Sequence, residues 1–524
     1  MKYNHLTRRD ALIALMLLVI ALIWGLGILD KGHVWGDDFA GYMLHAQTLV
    51  EGDFEQMQLR NAILHPSPRS FEEGVVNDSP LAYVWGLPMV LSLVYRLVGY
   101  DAPVGGTIIF YKIPGAMFFA LLAGVLYLFY RRRFSLAASL FLTFMLCGHS
   151  GLFGEVNSVM TDIPCMAASM AALLGIEVFV SETRTRRKTL YGVLLGLVLW
   201  YTAVVRLNGM SVVIGVLISH VLYLARAYKT EKNRLLHLLP WALFACLYLL
   251  VRLCLPEADS NTSDMAGVTL NRIKDNILYY YGLMQRFFGG MLPAWMPGRN
   301  YLHLAVYALM ASGLIARGWR SAEIHLTILL CGTGAALLAL PYEQDLRYLF
   351  GILPLMLLFA GYGMAALVRA AGRCVRSVRV RRAAVCVGTA LMLAVSLLRM
   401  GDLSAWKQEW KNSGGRERFY EAYHAVSKDI YAYISEQVEE DAVIAYIKPR
   451  VLYLNTGRMG MMIGVNGHHF YDADYILTFQ DRADEVGAII WPELDAELTL
   501  VYENPGYELY RISDAYRALR YEKE

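Results

Sequence analysis

The sequence has 524 residues, of which 56% are hydrophobic, and its formal net charge is +3. Soluble globular proteins are about 45–50% apolar, so the composition argues against a soluble protein and predicts an α-helical polytopic membrane protein. The basic residues occur in short clusters between apolar runs, which is typical of membrane orientation and not of nucleic-acid binding. The seven cysteines lack metal-type spacing, so neither a zinc site nor a disulfide framework is expected.

Twelve apolar runs approach the length of about 20 residues that a membrane-spanning helix needs. The first runs from Ala11 to Leu29 after Lys2, Arg8 and Arg9, which predicts an uncleaved helix with a cytoplasmic amino terminus. The other runs are 81–98, 107–130, 134–151, 162–180, 189–205, 209–225, 235–255, 301–316, 323–341, 348–368 and 383–398.

One early run must remain outside the membrane core. If all twelve crossed, Arg131, Arg132 and Arg133 would lie outside, against the positive-inside rule. If 81–98 does not cross, every basic cluster becomes cytoplasmic, and this run follows Pro80 and contains Pro88. We therefore predict eleven membrane helices, with 81–98 lying as a broken juxtamembrane helix at the outer interface. The basic clusters are 131–133, 184–188, 226–234, 317 with 320, and 369–382.

The resulting topology leaves three long regions outside: 30–106, about 256–300, and the tail after about residue 399. The tail has a soluble composition and strand-like runs at 442–447, 475–479 and 498–502. We expect residues 1–399 to form the transmembrane domain and 400–524 a small extracytoplasmic α/β domain.

Three carboxylates share the outer face in this topology. Asp37 and Asp38 follow the first helix, and Asp162 starts a later one. A carboxylate there can accept a proton from an attacking hydroxyl while its neighbour orients an acceptor or a cation. The alternatives are a solvated acidic loop for Asp37 and Asp38 and a helix N-cap for Asp162.

Several basic residues at outward helix ends break the positive-inside pattern. An anionic ligand at the outer leaflet would explain them, because phosphate accepts paired N–H donors well, especially from arginine. The alternative is snorkelling, or a local ion pair such as Arg347 with Asp345 or Glu343. These basic residues are Lys112, Arg206, Arg252 and Arg347.

Taken in order, the motifs resemble those of the GT-C superfamily of membrane glycosyltransferases, which includes protein O-mannosyltransferases and lipid A aminoarabinose transferases. The resemblance covers about residues 1–400, and Lys112 stands where the family usually has arginine. The motifs are Asp37-Asp38 with Tyr42, Asn77 to Tyr83, Tyr111-Lys112-Ile113-Pro114, Thr161-Asp162-Ile163-Pro164, Arg206-Leu207-Asn208-Gly209 and Arg347-Tyr348.

The resemblance implies that the transmembrane domain is catalytic and moves a sugar from a polyprenyl phosphate donor to an acceptor, usually with inversion. The reaction would take place at the outer face of a bacterial plasma (inner) membrane. The acceptor would be lipid A, another glycan, a lipid or a protein.

The resemblance also implies roles for single residues. Asp37, or Asp38 in its place, would be the base, and Asp162 would shape the acceptor site or hold a cation. Asp37 and Asp162 could together bind one divalent ion, although no cofactor is certain. The donor-phosphate ligands would be Arg347, Lys112 and Arg206, and further substrate-site candidates are Tyr42, Glu155, His149 and Tyr348.

Two other classes of function remain as alternatives. A transporter or flippase for polyprenyl-linked glycans or lipids would need charges or broken helices near the bilayer midplane. The runs 134–148, 163–176, 189–205, 348–368 and 383–398 contain no Asp, Glu, Lys or Arg, which disfavours an ion relay. A non-enzymatic scaffold would not need three carboxylates at one surface.

Overall fold

A computed structural model describes most of the chain. The described residues are 5–33, 36–64, 83–102, 105–227, 231, 234–256, 269–292, 296–320, 323–340, 345–374, 377–412, 422–462, 473–480 and 497–518.

Helices make up the first four-fifths of the chain, which confirms the predicted fold class. They are α1 (Arg8–Leu26), α2 (Asp38–Glu51), α3 (Phe54–Leu64), α4 (Gly86–Val98), α5 (Ile108–Arg131), α6 (Leu136–Cys147), α7 (Ser150–Gly154), α8 (Asp162–Ser181), α9 (Thr185–Val205), α10 (Gly209–Ala227), α11 (Leu239–Cys254), α12 (Leu270–Gly289), α13 (Leu302–Gly313), α14 (Ile324–Leu338), α15 (Leu353–Cys374) and α16 (Val378–Asn412).

Fewer of these helices than predicted are long enough to span a membrane. In the described part of the chain, eight helices have the required length and apolar character, and the bent pair Leu136–Cys147 and Ser150–Asn157 would make a ninth. The predicted spans 301–316 and 323–341 form shorter helices, α13 with a π-helical extension over Leu314–Gly318, and α14. The predicted run 323–341 is longer than α14, because the apolar residues Ala339 and Leu340 lie beyond the end of the helix.

The loop between α1 and α5 starts and ends at the same end of the bundle. Lys112, in the first turns of α5, forms an ion pair of 3.1 Å with Asp30, which follows α1. Helix α4 has 13 residues and is therefore roughly 20 Å long at 1.5 Å per residue, shorter than a hydrocarbon core of about 30 Å. Both observations support the prediction that 81–98 does not cross, although residues 81 and 82 lie outside the described part.

The basic clusters predicted to be cytoplasmic meet at the opposite end of the bundle. Buried Arg133, just after α5, pairs with Glu323 before α14 at 3.2 Å, and Lys188 in α9 pairs with Glu231 at 2.8 Å. Buried charges at a membrane boundary are costly unless they are paired. These pairs therefore hold the helix ends together at the end far from Asp30 and Lys112.

The tail folds as a small α/β domain, in agreement with the predicted strands. Its elements are α17 (Ala425–Gln437), β1 (Val443–Tyr446), α18 (Pro449–Thr456), β2 (Met459–Met462), β3 (Tyr475–Phe479), β4 (Leu498–Glu503), β5 (Tyr507–Ile512) and α19 (Asp514–Ala518).

The strand order of the sheet is β2-β1-β3-β5-β4. β1 runs parallel to β2 and β3, and β5 is antiparallel to β3 and β4. The predicted domain limit at residue 399 falls inside α16, a continuous helix of 35 residues. The change in composition there does not coincide with the end of a structural element.

The tail domain shares one hydrophobic core with the loop between α1 and α5, which is called the outward loop after its predicted location. Phe39 of α2 and Leu87 of α4 belong to the same buried cluster as Tyr431, Tyr446 and Tyr507 of the tail domain. Burying apolar surface is the main favourable term in folding. The shared core therefore fixes the position of α2, which begins at Asp38, against the tail domain.

The topology predicts which positions share a side of the membrane. In a cysteine-free background, we expect Arg96→Cys in α4 and Gln437→Cys in α17 to react with a membrane-impermeant maleimide in intact spheroplasts. Arg187→Cys, near the start of α9, lies on the predicted cytoplasmic side and should react only after permeabilisation. All three side chains are exposed in the structure, so the reagent can reach each of them from its own side. Labelling of Arg96→Cys and Gln437→Cys from opposite sides would contradict the topology.

Candidate active site

A buried carboxylate with two arginines lies at the outward-loop end of the bundle. Asp162 is 3% exposed, and its Oδ1 accepts a hydrogen bond from Arg206 Nη1. Arg347 Nη1 lies 3.8 Å from Asp162 Oδ2, too far for a hydrogen bond, and this oxygen has no other partner among the described residues. Three helix ends that are distant in sequence therefore converge on one carboxylate.

The local backbone explains why Asp162 points at Arg206. Asp162 is the first residue of α8, and Thr161 occupies the N-cap position without a side-chain capping bond. The Asp162 side chain is thus not the N-cap that the sequence left open as an alternative. Arg206 follows α9 in extended conformation, and its guanidinium lies 4.7 Å from the centre of the Tyr348 ring. Tyr348 therefore supports the arginine that pairs with Asp162.

Arg347 has two acidic neighbours and is only partly enclosed. Its Nε lies 3.3 Å from Asp345 Oδ2, and the side chains of Arg347 and Asp345 are 26% and 63% exposed. Burial opposes the charge, yet the carboxylates of Asp162 and Glu155, followed by Asp38 and Asp345, raise the pKa of Arg347. The local ion pair with Asp345 is therefore present but exposed, and Glu343 lies outside the described residues.

Asp38 is placed by two tyrosines. Its Oδ1 accepts a hydrogen bond of 2.6 Å from the Tyr83 hydroxyl, and the Tyr83 ring lies 4.6 Å from the ring of Tyr42. Tyr42 Oη is 3.4 Å from Thr161 Oγ1, beside the start of α8. A Cβ atom at Gly41 would overlap the Tyr83 ring, so glycine is needed there for this approach.

The environment of Tyr42 links Asp38 to the arginine cluster. Burial raises the pKa of Tyr42, with smaller electrostatic contributions from Asp38, Arg206 and Asp162. These charges therefore act on the same hydroxyl. The predicted residues Asp38, Tyr42, Asp162 and Arg206 thus surround one region, and the pKa of Arg347 responds to the same two carboxylates.

Asp37 has a different environment from Asp38. Its Oδ1 accepts hydrogen bonds from the backbone N–H groups of Arg450 and Val451, both at 3.0 Å. Its Oδ2 accepts one from Arg450 Nη1 at 2.9 Å. Burial raises the pKa of Asp37, although the charge of Arg450 opposes this effect. Asp37 therefore caps the first turn of α18 in the tail domain.

Arg450 also belongs to this region, although the sequence does not predict it as a site residue. Besides binding Asp37, its guanidinium lies 5.1 Å from the centre of the Tyr83 ring, and Tyr83 in turn donates to Asp38. The available signal was Pro449, since proline is favoured in the first turn of a helix. No sequence pattern, however, indicates that this helix start meets a residue more than 400 positions earlier.

Two predicted residues are occupied by contacts within the chain. Lys112 is fully buried, and its Nζ donates to Asp30 at 2.9 and 3.1 Å, to Asn157 at 2.9 Å and to the Gly32 carbonyl. His149 accepts from the Gly151 N–H and contacts the Phe287 carbonyl at 2.9 Å. This geometry does not support Lys112 as a phosphate ligand or His149 as a substrate contact.

The carboxylates proposed for a divalent cation are already paired with arginines. Asp37 is bound by Arg450, and Asp162 lies beside Arg206 and Arg347. In the described part of the chain, no group of three or more His, Cys, Asp or Glu side chains could hold a metal ion. A cation between Asp37 and Asp162 stays a prediction, and this set of donor atoms does not support it.

Comparison with known proteins identifies the fold. No family model and no curated protein matches the sequence. The crystal structure of ArnT from Cupriavidus metallidurans bound to undecaprenyl phosphate matches with a TM-score of 0.57 and 13% identity, over 96% of this chain and 98% of that chain. Its apo state gives a TM-score of 0.55, again at 13% identity, with the same coverage.

A weaker match is the archaeal oligosaccharyltransferase AglB from Archaeoglobus fulgidus, with a TM-score of 0.48 and 12% identity over 96% of this chain and 74% of that chain. The likeness to ArnT confirms that this chain has the polytopic GT-C fold that its motifs predicted.

The Asp37–Arg450 contact predicts a measurable effect on stability. Asp37→Ala removes the acceptor of three hydrogen bonds and leaves a mostly buried guanidinium unpaired, which typically costs about 3–5 kcal/mol. Asp37→Asn retains a carbonyl oxygen for the backbone N–H groups, so its cost should be smaller. We expect the thermal unfolding midpoint in detergent to fall in the order wild type, Asn, Ala. The exposed Arg511→Ala should leave it unchanged, and a wild-type midpoint for Asp37→Ala would refute the contact.

Proposed function

We propose that this chain transfers a sugar from a polyprenyl phosphate donor to an acceptor nucleophile at the outer face of a bacterial plasma membrane. The observation that carries the proposal is the convergence of Asp162, Arg206 and Arg347 at one end of the bundle. Asp38 is linked to the residue before Asp162 through Tyr83, Tyr42 and Thr161. A proton acceptor and two guanidinium groups are the components that attack by a hydroxyl and departure of a phosphate require. The ArnT fold, with undecaprenyl phosphate bound in one of the matching structures, supports this choice of donor.

Asp38 is the better candidate for the base. Both carboxylate oxygens of Asp37 accept hydrogen bonds from α18 and Arg450, whereas Asp38 accepts one, from Tyr83, among the residues that the structure describes. A base needs a free lone pair directed at the proton that it abstracts, and a carboxylate with a single donor retains this capacity. Asp37 then positions its neighbour by fixing the start of α2.

Arg347 and Arg206 would receive the donor phosphate. The Arg347 guanidinium is more exposed than that of Arg206, with 26% against 17% of the side chain accessible, and no hydrogen bond to Asp162 commits it. A phosphate could therefore replace the exposed Asp345 as its partner, since phosphate accepts two parallel N–H bonds. Asp162 holds Arg206 in place and offsets the repulsion between the two guanidinium groups.

The reaction follows from these positions. The acceptor oxygen forms a bond to the anomeric carbon while its proton passes to Asp38, and the bond from that carbon to the phosphate oxygen breaks. The bonding electrons remain on the phosphate, whose increased negative charge Arg347 and Arg206 stabilise. Attack from the face opposite the leaving group would invert the anomeric centre. The positive-inside rule supports the outer face as the side of the reaction, because the basic clusters lie at the other end.

Replacing Asp38 tests the identity of the base. Asp38→Asn keeps an acceptor for the Tyr83 hydroxyl but cannot take up a proton, so we expect transfer of labelled sugar from lipid-linked donor to fall about 10²–10⁴-fold. Asp53→Asn, at an exposed carboxylate of the same loop, is the matched control. Asp37→Asn should reduce the amount of folded protein more than the turnover of the folded fraction. Near-normal turnover in Asp38→Asn would rule out this residue as the base.

Replacing Arg347 tests the phosphate site without a known sugar or acceptor. Loss of a charged hydrogen-bonding partner typically costs about 1.5–3 kcal/mol, so Arg347→Ala should weaken undecaprenyl phosphate binding to the purified protein roughly 10- to 100-fold. Arg347→Lys should have a smaller effect because it keeps the charge but not the planar fork. Binding of the uncharged polyprenol should not change.

Two further variants separate ligand binding from structural roles. Arg96→Ala, at an exposed arginine of α4, should bind undecaprenyl phosphate as the wild type does. Asp345→Asn should leave the affinity intact or raise it, because it removes a competing carboxylate. The alternative is that Arg347 forms only a local ion pair. In that case Asp345→Asn and Arg347→Ala should lower the unfolding midpoint equally, while undecaprenyl phosphate binding stays normal in both.

A further inference from the structure

A second cluster of polar groups surrounds a small cavity between the outward loop and the tail domain. The cavity has a volume of about 20 Å³, which is room for roughly one or two water molecules. Helices α2 and α3 form one wall, and α18 and β2 form the other. Its lining includes His45, Met57, Arg60, Arg450 and Tyr453.

Arg60 brings a positive charge to this cavity that no ion pair neutralises in the described part of the chain. Its Nη2 donates to Thr48 Oγ1 at 3.2 Å, and its guanidinium lies 4.6 Å from the centre of the Tyr453 ring. Burial lowers the pKa of Arg60, and the interactions with Tyr453, Asp53 and Glu51 only partly oppose this effect. A guanidinium has five N–H donors, so donors remain for a ligand.

His45 adds a polar group without a partner on the same wall. Its side chain is 4% exposed, and its Nδ1 is buried with no hydrogen-bond partner among the residues that the structure describes. Burial, with the nearby charges of Arg450 and Arg60, lowers the pKa of His45 to about 3. His45 is therefore neutral at physiological pH, and one of its ring nitrogens can donate a hydrogen bond while the cavity charge comes from arginine.

The charges beside the cavity favour one class of ligand. Arg450 is neutralised by Asp37, so the charge available to a ligand is that of Arg60, which forms no ion pair with the residues that the structure describes. A single guanidinium matches a monoanion with two oxygens in a plane, which is the geometry of a carboxylate. A phosphate monoester carries up to two negative charges, which exceed the single positive charge of Arg60.

We propose that this cavity binds a carboxylate group, with Arg60 as the charged ligand and His45 as a neutral hydrogen-bond donor. The cavity is separated from Asp38 by Arg450 and Tyr83, which contact each other. This part rests on the function proposed above. The carboxylate then belongs to the acceptor, and Arg450 and Tyr83 separate it from the reacting hydroxyl. An acidic glycan or an acidic lipid headgroup has this chemistry.

Saturation-transfer difference NMR with propionate tests the site directly on the full-length protein in detergent. Arg347→Ala serves as the parent variant, so that binding of the probe at the proposed phosphate site is weakened. We expect the parent to bind propionate at least tenfold more tightly than neutral propionamide. Adding Arg60→Gln should abolish this preference, and adding Arg60→Lys should retain part of it.

Arg96→Gln in the same parent is the matched control and should bind propionate as the parent does. Unfolding midpoints establish that each variant is folded, and the lysine variant decides the question if glutamine is not tolerated. Equal affinity for propionate and propionamide in the parent, or an unchanged preference after Arg60→Gln, overturns the proposal. Neither result bears on Arg347, whose role depends on undecaprenyl phosphate binding alone, so the two proposals fail separately.

Discussion

The buried carboxylate of Asp162 is the interaction on which the rest of the site depends. A carboxylate at 3% exposure at the end of an apolar bundle is costly unless positive groups surround it. Arg206 provides such a group from the end of α9, and Arg347 provides another from a short 3-10 helix, Leu346–Leu349, that precedes α15. Satisfying one charge therefore brings three helix ends together. The same arrangement leaves Arg347 partly exposed and without a close hydrogen bond to Asp162. Its guanidinium N–H groups are therefore accessible to the anionic ligand proposed above.

The tail domain contributes to this site as well as adding a soluble module. Helix α18 starts on the carboxylate of Asp37, and Arg450 lies over the ring of Tyr83, whose hydroxyl holds Asp38. The adjacent acids thus have separate tasks. Asp37 binds α18 of the tail domain, whereas Asp38 accepts a hydrogen bond from Tyr83. The two neighbouring carboxylates are therefore not equivalent.

The sequence predicts this fold well because its strongest signals are local. Apolar length and the placement of basic clusters locate the helices, and the charged residues at their outward ends locate Asp162, Arg206 and Arg347. Lys112 shows the limit of this reasoning, because an outward cation has the same sequence signal whether its partner is a ligand or, as here, Asp30 and Asn157. Arg450 shows another limit, since its partner Asp37 is 413 positions away. Helix ends were also overestimated where apolar residues continue into a loop.

The central claim is that the chain breaks the bond between sugar and polyprenyl phosphate, whereas a flippase would move the lipid-linked sugar intact. Proteoliposomes containing the purified protein, sugar-labelled lipid-linked donor extracted from membranes, and an acceptor extract from the cell envelope distinguish these activities. The account predicts that label leaves the donor lipid and appears in the acceptor, with one polyprenyl phosphate released per sugar transferred and with loss of transfer in Asp38→Asn. Intact labelled donor appearing in the opposite leaflet, without release of polyprenyl phosphate, would contradict it.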